Sequence, residues 1–303
     1  MTAFHRTLQP RVRSPAAILI FFLLAFVWSW TLGYAAAQTK SAWPVCSVAL
    51  TMASGFGPSL AALTVVAALS NGTGLRDWLA QSLNWRVRWR WFAFAFLAPP
   101  TVMLLALVFN RLLGGHVRGP MPAEHIPLAI ANFGLVLLVG GPLGEEFGWR
   151  GYAMTALTAT MNWRVASLIV GVIWSLWHAP LFFLAGTAQS STAMPIFMIN
   201  MLAGSFVFGW LFERTQSSVL PVLVLHTSLN SWAGILMIMP TTDSGQPFTL
   251  VTGLLVVIAV VLLISPSFQD HRRAGDFLDD HNTARPPATN STAPMTAQVD
   301  EGP

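Results

Sequence analysis

Apolar runs long enough to cross a bilayer recur eight times in this chain, at about residues 15–37, 43–70, 91–113, 126–160, 163–184, 194–212, 219–239 and 248–264. A helix needs roughly 20 apolar residues to span the hydrocarbon core. The expected fold is therefore all-α, a polytopic membrane bundle of about eight transmembrane helices. Charge agrees with this. Only 9% of the 303 residues are charged and 54% are hydrophobic, whereas a soluble domain carries roughly 25% charged residues.

The first run starts after basic residues and ends in Ala35-Ala36-Ala37, which superficially resembles a cleaved leader. Its apolar stretch exceeds the 7–15 residues of a leader's apolar region, so it reads as a retained helix. In the second run, Gly55-Phe56-Gly57-Pro58 should kink the helix. Residues 71–90 mix Trp, Leu and Arg and read as a short amphipathic segment at the cytoplasmic interface. The membrane domain is expected over residues 1–266, with its motif core at about 120–235. Residues 267–303, rich in Asp, Pro, Thr and Ala, read as a disordered cytoplasmic tail. No internal repeat of the inverted-transporter kind is evident. The single cysteine, Cys46, excludes an internal disulfide and reads as a small buried hydrophobe.

The net charge is +4 and the sequence pI about 10.2. The basic residues flank apolar runs, so they report topology and contact with anionic lipid, not nucleic acid. With a cytoplasmic N-terminus, twelve fall inside: Arg6, Arg11, Arg13, Arg76, Arg86, Arg88, Arg90, Arg164, Arg214, Arg272, Arg273 and Arg285. Three, Lys40, Arg111 and Arg118, fall outside. That bias predicts that both termini are cytoplasmic.

Ionisable groups within membrane spans cost about 2.5–3.5 kcal/mol each on insertion scales and are functional by default. Here they sit in three segments. In Gly144-Glu145-Glu146-Phe147-Gly148-Trp149-Arg150, Glu146 and Arg150 are four apart and share a helix face. Glu145 lies about 100° round the helix and faces elsewhere. One carboxylate is then satisfied by Arg150 and the other is free for chemistry. His178 follows Trp174-Ser175-Leu176-Trp177 inside an apolar run. His226 and Asn230 are four apart on a third helix. Each segment alone is also compatible with a structural role, as an ion pair or as interhelical hydrogen bonding.

Together they form a hydrolytic set. A carboxylate and an imidazole can take a proton from water and return it to a leaving amine. A second imidazole and an amide can hold an oxyanion. Alternatively, Glu145, His178 and His226 could bind Zn²⁺ and leave a position open for water. HExxH and GxSxG motifs are absent, which argues against a zincin helix and serine chemistry.

The three segments resemble the CAAX protease and bacteriocin-processing (CPBP, or Abi) family of intramembrane proteases. That family's pattern is EExxxR, FxxxH and HxxxN or HxxxB, each on its own transmembrane helix. The corresponding residues here are Glu145-Glu146 with Arg150, Trp174 with His178, and His226 with Asn230. The resemblance covers about residues 70–235. It implies that Glu145 and His178 activate water, that His226 and Asn230 stabilise the oxyanion, and that Glu146 and Arg150 support the site. Trp174 stands where the family usually has Phe and reads as packing. The substrate implied is a membrane-associated protein or peptide. Two other functions stay open: a non-catalytic immunity or scaffold protein of the same fold, and an ion-coupled transporter.

Overall fold

The computed structural model describes residues 8–116, 124, 126–184, 186–239 and 246–265. The tail at 267–303, and Arg6, Arg118, Arg272, Arg273 and Arg285, lie outside the described residues. The elements among the described residues are all helical: α1 (Pro15–Thr39), α2 (Pro44–Ser54), α3 (Gly57–Leu69), α4 (Gly74–Ser82), α5 (Trp89–Leu112), α6 (Ile126–Val139) and α7 (Pro142–Glu146). A π-helix (Phe147–Met154) and α8 (Thr155–Thr158) follow, then α9 (Trp163–Trp177), α10 (Met194–Arg214), α11 (Leu220–Ile235) and α12 (Gln246–Ile264). Among the described residues, six helical stretches are long and apolar enough to cross a membrane. The α2–α3 pair, bent by 51°, makes a seventh if it is one span. The remaining predicted run is α11, whose 16 residues are shorter than an ordinary span.

The bundle carries apolar side chains outward. Leu19, Leu23 and Val27 of α1, Leu104 and Val108 of α5, and Val257 and Val261 of α12 are exposed, as lipid-facing positions are in a membrane helix. With lipid as solvent, close packing of small residues holds helices together. On α9 and α10, Gly171 meets Ser205, Gly209 meets Ser167, and Ser205 Oγ donates to the Ser167 carbonyl at 2.9 Å. Gly144 and Gly148, four apart, bring the Pro127–Thr158 span against the bend between α2 and α3. A Cβ on Gly144 would run into the Gly55 carbonyl, and one on Gly148 would lie 2.5 Å from the Pro58 carbonyl. Ser59 Oγ fixes the approach by donating to the Leu143 carbonyl at 2.9 Å. The Gly-Phe-Gly-Pro break thus bends the span and seats the segment that carries both glutamates.

Caps begin two of the spans. Ser14 Oγ accepts from Ala17 N ahead of Pro15, and Asn162 Oδ1 accepts from Val165 N. The first helix is part of the core: Phe21 is fully buried, packs against Trp149 and Tyr152, and Trp30 Nε1 donates to the Trp177 carbonyl at 3.0 Å. Within residues 71–90, α4 inserts Trp78, which is 2% exposed, against the π-helix, while Trp85, Arg86, Arg88, Trp89 and Arg90 are exposed. Cys46 is exposed on α2, contrary to its expected burial. Its helix is half covered at best, with Ser47 as its buried residue.

Helix α5 continues through Pro99 and Pro100. Pro100 has no N–H, so the Phe96 carbonyl four residues earlier loses its helical donor. Ser228 Oγ of α11 donates to that carbonyl at 2.7 Å, the kind of rescue that lets proline persist in membrane helices. Ser228 is fully buried and lies between His226 and Asn230 on the same helix. Ser228→Ala should therefore destabilise the protein by about 1–3 kcal/mol, the cost of a buried unsatisfied carbonyl. Thermal unfolding of the detergent-solubilised protein would measure it. A variant as stable as wild type would show that the Phe96 carbonyl needs no partner.

Candidate active site

Glu145 and Glu146 close the five-residue helix α7, and the backbone then widens into the π-helix that carries Arg150. π-Segments are uncommon and concentrate at functional sites. Two of its carbonyls find partners outside the helical ladder: Trp78 Nε1 donates to Gly151 O at 2.9 Å, and Thr155 Oγ1 to Arg150 O at 3.3 Å. Arg150 nevertheless stays one turn from Glu146. Its Nη1 donates to Glu146 Oε1 at 3.0 Å, with both side chains wholly buried. The guanidinium is held between two aromatic faces, 4.3 Å from the Trp174 ring centroid and 4.4 Å from that of Phe208.

The same Glu146 oxygen also lies 2.7 Å from His226 Nδ1. A carboxylate paired with Arg150 accepts, so Nδ1–H donates and Nε2 is the nitrogen left for the cavity. Glu146 therefore has two partners, and the sequence pairing with Arg150 identified one. Asn230, one turn beyond His226, donates from Nδ2 to the Gly140 carbonyl at 3.2 Å.

His178 is the residue that caps α9 and not an interior helical position. The helix ends at Trp177 and Pro180 follows within a 3₁₀ turn at Ala179–Phe183, as expected where proline disfavours continuation. His178 Nδ1 lies 2.8 Å from the Trp174 carbonyl. The carbonyl only accepts, so Nδ1 carries the proton and Nε2 offers a lone pair. Edge contacts with Trp177 and Phe197 fix the ring.

Glu145, 5% exposed, is not free of protein partners as its spacing suggested. Trp174 Nε1 donates to its Oε2 at 2.6 Å. Trp174 is thus more than packing. Oε1 faces Gly141, where φ is +112°, a conformation that L side chains rarely adopt. A Cβ there would lie 2.6 Å from Glu145 Oε1 and 3.8 Å from Asn230 Nδ2. Glycine leaves open the space where those two groups face each other.

Glu145, His178, His226 and Asn230 all line one cavity of about 370 Å³. Apolar groups such as Phe197, Met201, Leu229 and Phe248 complete its wall. Among the described residues, no three His, Cys, Asp or Glu side chains are grouped closely enough to hold a metal ion.

A family model described as type II CAAX prenyl endopeptidase, Rce1-like, matches residues 127–232. That stretch contains Glu145, Glu146, Arg150, Trp174, His178, His226 and Asn230. The chain is also 22% identical over 261 residues to CAAX prenyl protease 2 of Methanococcus maripaludis, covering 81% of this chain and 92% of that protein. The helical membrane fold and both similarities agree, and together they support an intramembrane protease of the CPBP type, a hydrolase acting on peptide bonds.

Proposed function

We propose that the chain cleaves a membrane-associated protein or peptide, with Glu145 and His178 activating the attacking water. The water oxygen bonds to the scissile carbonyl carbon as its proton passes to the Glu145 carboxylate or His178 Nε2. Charge moves to the carbonyl oxygen, where the Asn230 amide and His226 Nε2–H stabilise it. Because Nδ1–H of His226 is committed to Glu146, donation from Nε2 requires the imidazolium, with Glu146 holding its Nδ1–H. The C–N bond then breaks, and the proton held by the base goes to the leaving amine.

One observation carries this reading: four polar groups, drawn from three distant segments, open on a single cavity. The name of the Methanococcus relative makes a prenylated CAAX segment the first substrate to try. The distribution of Arg supports a cytoplasmic position for both termini.

The test is terminus mapping by mass spectrometry on membranes with and without the chain. New peptide termini should appear only with it. Asn230→Ala should slow their formation by about 10²–10³-fold, the usual loss for one oxyanion donor, at unchanged protein abundance. Identical termini with and without a well-folded chain would favour a scaffold. A wild-type rate for Asn230→Ala would remove the amide from the mechanism.

A further inference from the structure

Trp174 meets four of the polar groups of the site, three through its indole and one through its backbone carbonyl. Its N–H donates to Glu145 Oε2 at 2.6 Å, and its ring faces the Arg150 guanidinium at 4.3 Å. Its ring meets His226 edge-to-face at 5.7 Å and lies tilted against Phe208 at 5.5 Å, and its backbone carbonyl orients His178 Nδ1 at 2.8 Å. It is 4% exposed, so the ring has little room to turn. A phenylalanine at this position would supply the ring contacts and no donor.

From this geometry we infer that Trp174 is a positioning residue: its indole N–H anchors Oε2 of Glu145 and aims Oε1 toward the space beside Gly141 and Asn230. The inference rests on the reading of Glu145 as the base. A carboxylate with two rotatable bonds beyond Cβ has several rotamers available beside an open cavity. The indole donor selects one, because a buried N–H without a partner is costly and Oε2 is its partner. Arg150 stacks on one part of the same ring system, so the rotamer of Glu145 and the Glu146–Arg150–His226 set are fixed together. The sulfur-containing isostere 3-benzothienylalanine keeps the fused ring and its packing and lacks the N–H.

Two variants test this, 3-benzothienylalanine incorporated at position 174 and Trp174→Phe. In membranes, the termini that depend on the wild-type chain should form about 10-fold more slowly with either, the scale of one hydrogen bond to a charged group. Abundance and thermal unfolding should match wild type for the isostere. A second readout needs no substrate. In protein labelled with ¹⁵N at the indole, the resonance lost in Trp174→Phe should move upfield in Glu145→Gln, where a neutral amide replaces the carboxylate acceptor.

A resonance indifferent to Glu145→Gln would overturn the hydrogen bond. An isostere variant that cleaves at the wild-type rate, while Glu145→Gln is inactive, would overturn the positioning role. If Glu145→Gln itself cleaves normally, the assignment of the base fails, and the indole resonance still reports separately on the bond.

Discussion

Glu145→Gln ends cleavage while leaving the protein at wild-type abundance: this is the larger of two effects expected from the site. Gln has the size of Glu, and its amide oxygen can still accept from Trp174 Nε1, which lies 2.6 Å from the carboxylate in the native protein. What it loses is the capacity to take a proton. Removing a positioned general base costs about 10²–10⁴-fold. In the membrane interior, few waters or buffer ions are at hand to substitute for it. The Glu146–Arg150 and Glu146–His226 contacts use the neighbouring carboxylate, so the fold keeps its ion pair. Terminus mapping reads activity, and size-exclusion recovery of the solubilised protein reads folding. Cleavage within tenfold of wild type by a well-folded Glu145→Gln protein would place the base elsewhere, His178 being the alternative on the same cavity wall.

Much of this arrangement could be read from the chain, because lipid makes its own demands legible. Apolar runs mark spans, and the few ionisable groups inside them stand out by their cost. Spacing alone placed Glu146 and Arg150 on one helix face, and His226 and Asn230 on another. The Gly55–Pro58 break was visible as a kink, since glycine and proline act on their own backbone.

Contacts between distant segments were not readable. Glu145 and Trp174 are 29 residues apart, Glu146 and His226 are 80 apart, and Ser228 and Phe96 are 132 apart. No periodicity within one helix encodes such a pairing. Residue type offered a hint at Trp174, whose indole carries an N–H that a buried site must satisfy. The π-helix was also hidden. It changes how residues 147–154 wind without changing which of them are apolar. The proline pair in α5 did carry a readable signal: Pro100 strips a donor from the Phe96 carbonyl, so a polar partner had to come from elsewhere.

Arg150→Ala should fail for a different reason from Glu145→Gln, and the contrast separates the roles of the two glutamates. Arg150 is wholly buried, as is Glu146. In the native protein the guanidinium neutralises Glu146 at 3.0 Å and lies against Trp174 and Phe208. Alanine removes the charge, the hydrogen bond and the cation–π contacts together, and leaves a void between the two rings. Glu146 would keep His226 as its one partner. Removing one member of a buried ion pair typically costs about 3–5 kcal/mol, because an uncompensated charge remains. That is a large part of the stability of an ordinary fold. The expected result is low recovery of folded protein and a lower unfolding temperature after solubilisation. Glu146→Gln combined with Arg150→Met removes both charges and should recover part of the loss, since a neutral pair of similar volume avoids the unpaired carboxylate. The double variant should remain slow in cleavage, because position 146 no longer offers a carboxylate to hold His226 Nδ1–H. Normal recovery for Arg150→Ala, equal to that of Glu145→Gln, would mean that Glu146 does not depend on Arg150 and that the two carboxylates do not divide the work in this way.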